Sequence, residues 1–233
     1  VLDLSKFNTS NVVNMDSMFF NCSSLQSLNL DNFDTSQVTN INKMFYHCSG
    51  LSKLDLNKFN TSKTTTMESL FAYCSKLTTL KIDNFITLNV VSMNSMFYNC
   101  AKLGTLNLAS FNTSKVIDMA NMFDSCKKLN PLILSSFNTS QVITMASMFY
   151  RCESLTSLAL NNFNTLNVRS MKSMFHSCIK LEYLYLSSFN TREVTDMSYM
   201  FYSCQKLTSL YIRNFNTSNV RAMRSEEHTS ELQ

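Results

Sequence analysis

The sequence predicts a right-handed α/β solenoid, with one short strand and one short helix in each 26-residue repeat and a parallel sheet on the concave side. Three observations carry this. Cysteines stand at Cys22, Cys48, Cys74, Cys100, Cys126, Cys152, Cys178 and Cys204, each 26 residues from the next. Phenylalanine recurs at the same interval from Phe7 to Phe215, and threonine from Thr9 to Thr217. Leucine or isoleucine alternates with polar residues once per unit, as at Leu28 and Leu30. A fixed period of this length marks a stacked array, in which each unit packs only on its neighbours.

The strand comes first. Leu28 and Leu30 alternate with Ser27, Asn29 and Asp31, and a period of two puts both leucines on one face. A turn follows at Phe33-Asp34-Thr35-Ser36, because Asp, Asn, Thr and Ser bond to nearby backbone groups. Val38 marks a second short extended piece. The helix is expected next. Asn14, Asn40, Thr66, Ser92, Asp118, Thr144, Ser170 and Asp196 share one column, and all can cap a helix N-terminus. The apolar residues behind them, Met15, Met18, Phe19 and Cys22, fall at helical spacing. Lys76, Lys102, Lys128, Lys180 and Lys206 then suit a helix C-terminus.

Parallel strands lie about 4.8 Å apart, whereas a helix is roughly 10 Å across. A helical side would therefore form the longer arc and leave the sheet concave. One repeat cannot bury its apolar face alone, so stability is collective along the stack.

The organisation expected is a single solenoid over residues 1–225, about 8.5 repeats, truncated at both ends. Residues 226–233 break the pattern: Glu226 stands where methionine or leucine is due. RSEEHTSELQ back-translates to a string resembling a common sequencing-adaptor oligonucleotide. We therefore expect a non-native tail, beginning at Glu226 or as early as Arg224, and set it aside from fold reasoning. Without its one arginine and three glutamates the formal charge rises from +4 to +6, a mild excess that does not call for nucleic acid. Two glycines and one proline leave no glycine-rich phosphate loop. No apolar run approaches a membrane span, so this segment is not expected to insert in one. No signal segment is visible, and the chain starts at Val1 in mid-repeat.

The strand motif Leu25-x-x-Leu28-x-Leu30 resembles a leucine-rich repeat. With the N-T-S-x-V and M-x-x-M-F-x-x-C elements, the whole unit is similar to the 26-residue repeat of BspA-type bacterial surface proteins, a family that includes mycoplasmal lipoproteins. The resemblance spans Val1 to about Ser225. It implies a secreted or surface-anchored protein that mediates adhesion, and it brings no catalytic residues.

The columns read as follows. The cysteines serve as small buried hydrophobes that fit one gap; disulfides between neighbouring repeats are within reach if the spacing is near 5 Å. Metal binding lacks both C-x-x-C and a histidine column. The methionines belong to the core. The threonines form either an internal hydrogen-bonded ladder or, less in keeping with their place in a turn, an ice-binding row. Asn8, Asn60, Asn112, Asn138, Asn216 and Asn21 head glycosylation sequons that the repeat generates automatically. His47 and His176 are five repeats apart, no carboxylate pair converges, and no cofactor is called for, so an enzyme is not expected.

Partner recognition is expected on the outward strand positions. Ser27, Asn29 and Asp31 are small and polar, but the last units carry Tyr183, Tyr185, Tyr211 and Arg213. Tyrosine and arginine are enriched in binding hot spots. The expected partners are host or neighbouring-cell surface proteins or matrix, with acidic glycan or cell-wall polymer, aided by Lys180 and Lys206, as the alternative. A structural spacer is the third reading.

Overall fold

The computed structural model describes residues 2–224. The expected foreign tail lies outside them, apart from Arg224. Each 26-residue unit closes one coil and bonds to the next, so the chain is a leucine-rich-repeat-like solenoid.

Five short strands form: β1 (Lys53–Asp55), β2 (Thr79–Lys81), β3 (Ser157–Leu158), β4 (Tyr183–Tyr185) and β5 (Ser209–Tyr211). All pairs are parallel. β1 pairs with β2, while β3, β4 and β5 make a second sheet. In β1, β2 and β4 the central leucine is buried and its neighbours face out, as the alternation requires.

Behind the strand the Phe33 N–H closes a turn on the Leu30 carbonyl at 2.9 Å, and the equivalent bond recurs down the stack. The threonines then point inward. Thr113 Oγ1 donates to the Asn138 carbonyl at 2.8 Å and accepts from the Asn138 N–H at 2.8 Å. The same two bonds join Thr35 to Asn60 and Thr61 to Ile86, so the threonines are an internal ladder. Because both bonds go to backbone groups, Ile86 is tolerated where the column otherwise has Asn or Asp. At that position Asn8, Asn60 and Asn112 also cap the residue two places on through Oδ1.

The expected helix is not there. Among the described residues no segment is helical. In its place, alternate N–H groups reach into the next repeat. Met15, Ser17, Phe19 and Asn21 donate to the carbonyls of Asn40, Asn42, Met44 and Tyr46 at 2.7–2.9 Å. Between them, Phe20 bonds back to Ser17 and Cys22 to Phe19 at 3.0 and 3.1 Å, closing four-residue turns. Ser17 and Asn21 have φ of 59°, and the same two columns are left-handed in later repeats, sixteen non-glycine residues among those described. Left-handed residues every fourth place end any helix, and an amide bonded across the stack cannot bond along a helix. The spacing of Met15, Met18, Phe19 and Cys22 buries one side of paired turns as well as one side of a helix. The capping column caps turns instead: Asn14 Oδ1 accepts from the Asp16 N–H at 2.8 Å, and Asp118 Oδ1 from the Ala120 N–H at 2.8 Å. With no helix, the column of Lys76, Lys102, Lys128, Lys180 and Lys206 complements no dipole and is exposed.

The reason for a concave sheet falls with the helix. Both sides of the coil are now spaced by hydrogen bonds from repeat to repeat. Parallel bridges run unbroken from Asn14–Asn40 to Asp196–Ala222 beside the turns. Equivalent phenylalanine rings lie 5.6–5.9 Å apart in the turn column of Phe19. In the Phe7 column, just after the strand, they lie 6.4–6.5 Å apart.

The core is one continuous cluster of leucine, methionine, phenylalanine, valine and cysteine. Each thiol from Cys48 to Cys204 donates to a phenylalanine carbonyl of the preceding repeat, as Cys48 to Phe19 at 3.1 Å. All eight cysteines are free. The small-hydrophobe reading holds, and the thiol adds one weak hydrogen bond per coil.

Candidate binding surface

The outward side chains of the strands make a face with three zones. The first is a charged lattice. Lys58 pairs with Asp31 at 3.1 Å, and Lys81 with Asp55 at 2.9 Å. Asp83 accepts from Asn107 Nδ2 at 2.6 Å and from Asn57 Nδ2 at 3.2 Å. These two bonds hold the Asp83 carboxyl below the usual carboxylate range, and the Lys81 bond does the same for Asp55.

The last zone is aromatic and contains the residues singled out in the sequence. β4 and β5 pair with Tyr185 opposite Tyr211 and Tyr183 opposite Ser209. The Tyr185 and Tyr211 rings stack at 4.5 Å with 10° between planes. Tyr183, Tyr185 and Tyr211 are 48%, 49% and 47% exposed. Tyr183 stands between Ser157 and Ser209, on the same face but outside the stack. Arg213 follows in the outward register two residues after Tyr211, exposed and without an ion pair among the described residues. The proximity of the Tyr211 hydroxyl raises the Tyr185 phenol above its ordinary value. Stacking in register presents two rings as one rigid slab, which suits recognition because little rotamer freedom remains to be lost.

Between these zones lies a feature that the sequence reading missed. Strand pairing is interrupted at residues 105–107 and 131–133, and a groove of about 610 Å³ opens over Leu80, Leu106, Leu108, Ala109, Pro131 and Ile133. The chain's single proline and one of its two glycines, Gly104, are both here. Proline has no N–H to give to the ladder. Those two residues were the available signal.

A second missed feature lies beside the turns. Phe20, Tyr46, Tyr73 and Tyr98 follow one another in ring contact at 4.7–5.2 Å. Tyr73 belongs to the next column and leans into the place that Ala72 leaves. The row resumes at Tyr150, with His176 between Tyr150 and Tyr202 at 4.5 Å from each. In the gap sits Asp124, 7% exposed, its carboxyl pushed up to about 6 by burial, against which the Ser125 hydroxyl bond at 2.7 Å and the charge of Arg151 act.

Burial pushes the Cys48 thiol up to about 12 and Cys204 to about 11, so they stay protonated near neutral pH. His47 is held by Asn21 Oδ1 at 2.6 Å and His176 by Ser177 Oγ at 2.8 Å. Among the described residues no group of His, Cys, Asp or Glu could hold a metal ion, and no helix is long and apolar enough to cross a membrane.

The sequence matches the protein family described as "Mycoplasma protein of unknown function, DUF285" over residues 2–105, 75–182 and 154–227. A search of curated proteins gives no match. Among solved structures, the chain is similar to a leucine-rich repeat protein of T. pallidum at 20% identity, with 73% of this chain and 72% of that one covered and a TM-score of 0.47. It is similar to a leucine-rich cell surface protein of Faecalibacterium prausnitzii at 16% identity, covering 88% and 70%, with a TM-score of 0.42. A Bacteroides ovatus leucine-rich repeat protein shares 16% identity over 83% and 56%, with a TM-score of 0.40.

Proposed function

The chain belongs to the DUF285 repeat family, and from that premise we propose that it is a cell-surface adhesion module that binds another protein through its strand face. The observation that supports this is the stacked, half-exposed pair Tyr185–Tyr211, flanked by Tyr183 and Arg213. The outward strand positions of the early repeats are small, polar or charged, as at Ser27, Asn29, Lys53 and Asp55; here they are aromatic and half-exposed. An aromatic slab beside an unpaired guanidinium has the composition of a binding hot spot.

The test is a binding screen against host surface and extracellular-matrix proteins, repeated with Tyr185→Ala and Tyr211→Ala together. A hit should weaken at least tenfold, since hot-spot truncations cost about 2 kcal/mol or more. Undiminished binding by the double variant would sink the patch. An absence of any partner would favour a spacer.

One observation favours a second reading, an acidic glycan or cell-wall polymer. All six arginines fall at Arg151 or later. Arg169, Arg192, Arg213 and Arg221 are exposed and have no ion pair among the described residues. Binding to such a polymer should fall steeply between low and physiological salt, whereas aromatic burial against a protein should change little.

A further inference from the structure

We propose that the interrupted part of the strand face is a pocket for one large apolar side chain of an extended peptide, with a neighbouring basic side chain of that peptide paired to Asp83. This rests on the reading of the strand face as the binding face, and it names the chemistry of the partner at a place the aromatic patch does not reach.

Four features coincide at this pocket. The volume, about 610 Å³, lies within the range of small-ligand sites and has room for a large side chain with its flanking backbone. Its floor is apolar: Leu80, Leu106 and Leu108 are buried there. Its far wall is Pro131 and Ile133, and Ile133 is 66% exposed, the highest value among the exposed large hydrophobic side chains. An apolar group this exposed in mid-stack gains most from being covered. One stretch of the lining is small, with Ala109, Ser135 and Ser136 in columns that elsewhere hold Asp31, Asn57 and Asp83 or Asn32, Lys58 and Asn84, and the rest is polar, including Lys81, Asp83 and Asn107. Gly104 beside it has open space where a Cβ would stand.

The charge at the rim selects the partner. Three carboxylates and two ammonium groups meet in the neighbouring lattice. Lys58 is taken by Asp31 and Lys81 by Asp55. Asp83, at the edge of the groove, keeps only the amides of Asn107 and Asn57. Those bonds keep it ionised, so the rim carries, beside the Asp55-paired Lys81, a carboxylate with no ion pair among the described residues, next to an apolar floor. A cationic side chain followed by an apolar one meets both. An acidic or wholly polar segment meets neither.

The test uses the whole chain and three short capped peptides as probes: acetyl-Arg-Ala-Leu-Ala-amide, the same peptide with Glu for Arg, and the same with Ser for Leu. The isoleucine methyl signals of the protein are followed by NMR during titration. The Arg–Leu peptide should shift the Ile133 methyl signals saturably, and the Glu and Ser peptides should bind at least threefold more weakly. Asp83→Asn should weaken the Arg–Leu peptide about threefold, in keeping with an exposed ion pair. Ser135→Leu, on an exposed position, should obstruct the groove beside Ile133 and weaken the Arg–Leu peptide at least threefold. The proposal is overturned if Ile133 does not respond, if the three peptides are equivalent, or if Ser135→Leu binds like the parent. Repeating the titration with the Tyr185→Ala, Tyr211→Ala variant separates the two readings. An unchanged Ile133 response there supports the pocket whatever becomes of the aromatic patch. Protein binding that is undiminished in that variant, with an intact pocket response, counts against the patch alone.

Discussion

At the scale of single residues, Asp124 is the most exposed to test. Its carboxyl is raised from 3.8 to about 6 in the folded chain, chiefly by burial. The native state therefore holds this proton more tightly than the unfolded state does. Stability contributed by the neutral acid is present below about pH 4 and is lost as pH rises through 6. A shift of about two units corresponds to roughly 3 kcal/mol. Asp124→Asn, which keeps an acceptor for Ser125, should gain about 2 kcal/mol at pH 7 and nothing at pH 3.5, read from urea unfolding. An equal gain at both pH values would show that charge burial is not the cause. The residue was legible as an oddity only in column terms: it stands where Tyr98, Tyr150 and Tyr202 stand in other repeats. The sequence could not show that the phenols on either side would leave it buried. The tyrosines of the strand face were legible in the same way, because Tyr183, Tyr185 and Tyr211 break columns that are small or polar in the early repeats.

At the scale of the element, the threonine turn carries the sharpest expectation. Thr113 is fully buried and makes two bonds to Asn138. Thr113→Val keeps the shape and leaves an N–H and a carbonyl without partners. This should cost about 2–4 kcal/mol, while Thr113→Ser should cost about 1 kcal/mol. Chemical denaturation of both variants measures the difference, and equal losses would remove the hydrogen bonds from the account. This ladder was legible because a polar residue held rigidly in a turn must have a repeating partner. The neighbouring element was misread for an equally physical reason. Periodicity reports which residues are buried, and Met15, Met18, Phe19 and Cys22 are buried or partly so in either geometry. It does not report where the amides go. The left-handed residues were a visible clue: Ser and Asn fill most of the sixteen positions, and no β-branched residue does.

For the whole molecule, the constant interval is the controlling fact. Every coil meets the next through the same bonds, so coils should be interchangeable. Excising residues 137–162, one full period, joins Ser136 to Phe163 in register. The product should keep the parent's circular dichroism per residue and a cooperative thermal transition. Excising 137–161 instead places Asn162 in the phenylalanine column and should abolish the transition. If both deletions behave alike, register does not hold the stack together. The architecture was thus readable at this scale from eight cysteines, whereas the gap in the strand pairing was not, since one proline and one glycine do not reveal how far a ladder opens. The turn ladder also gives the stack an electrical sense. The amides of Met15, Ser17, Phe19 and Asn21 all point toward the following coil, while the Thr39 amide points the other way. Aligned peptide dipoles add along the line they share. Along the turn side of the coil the positive ends of these dipoles face increasing residue number, whereas near the strands amides such as Thr78 and Thr79 point back, so the two sides of the stack differ in electrical sense.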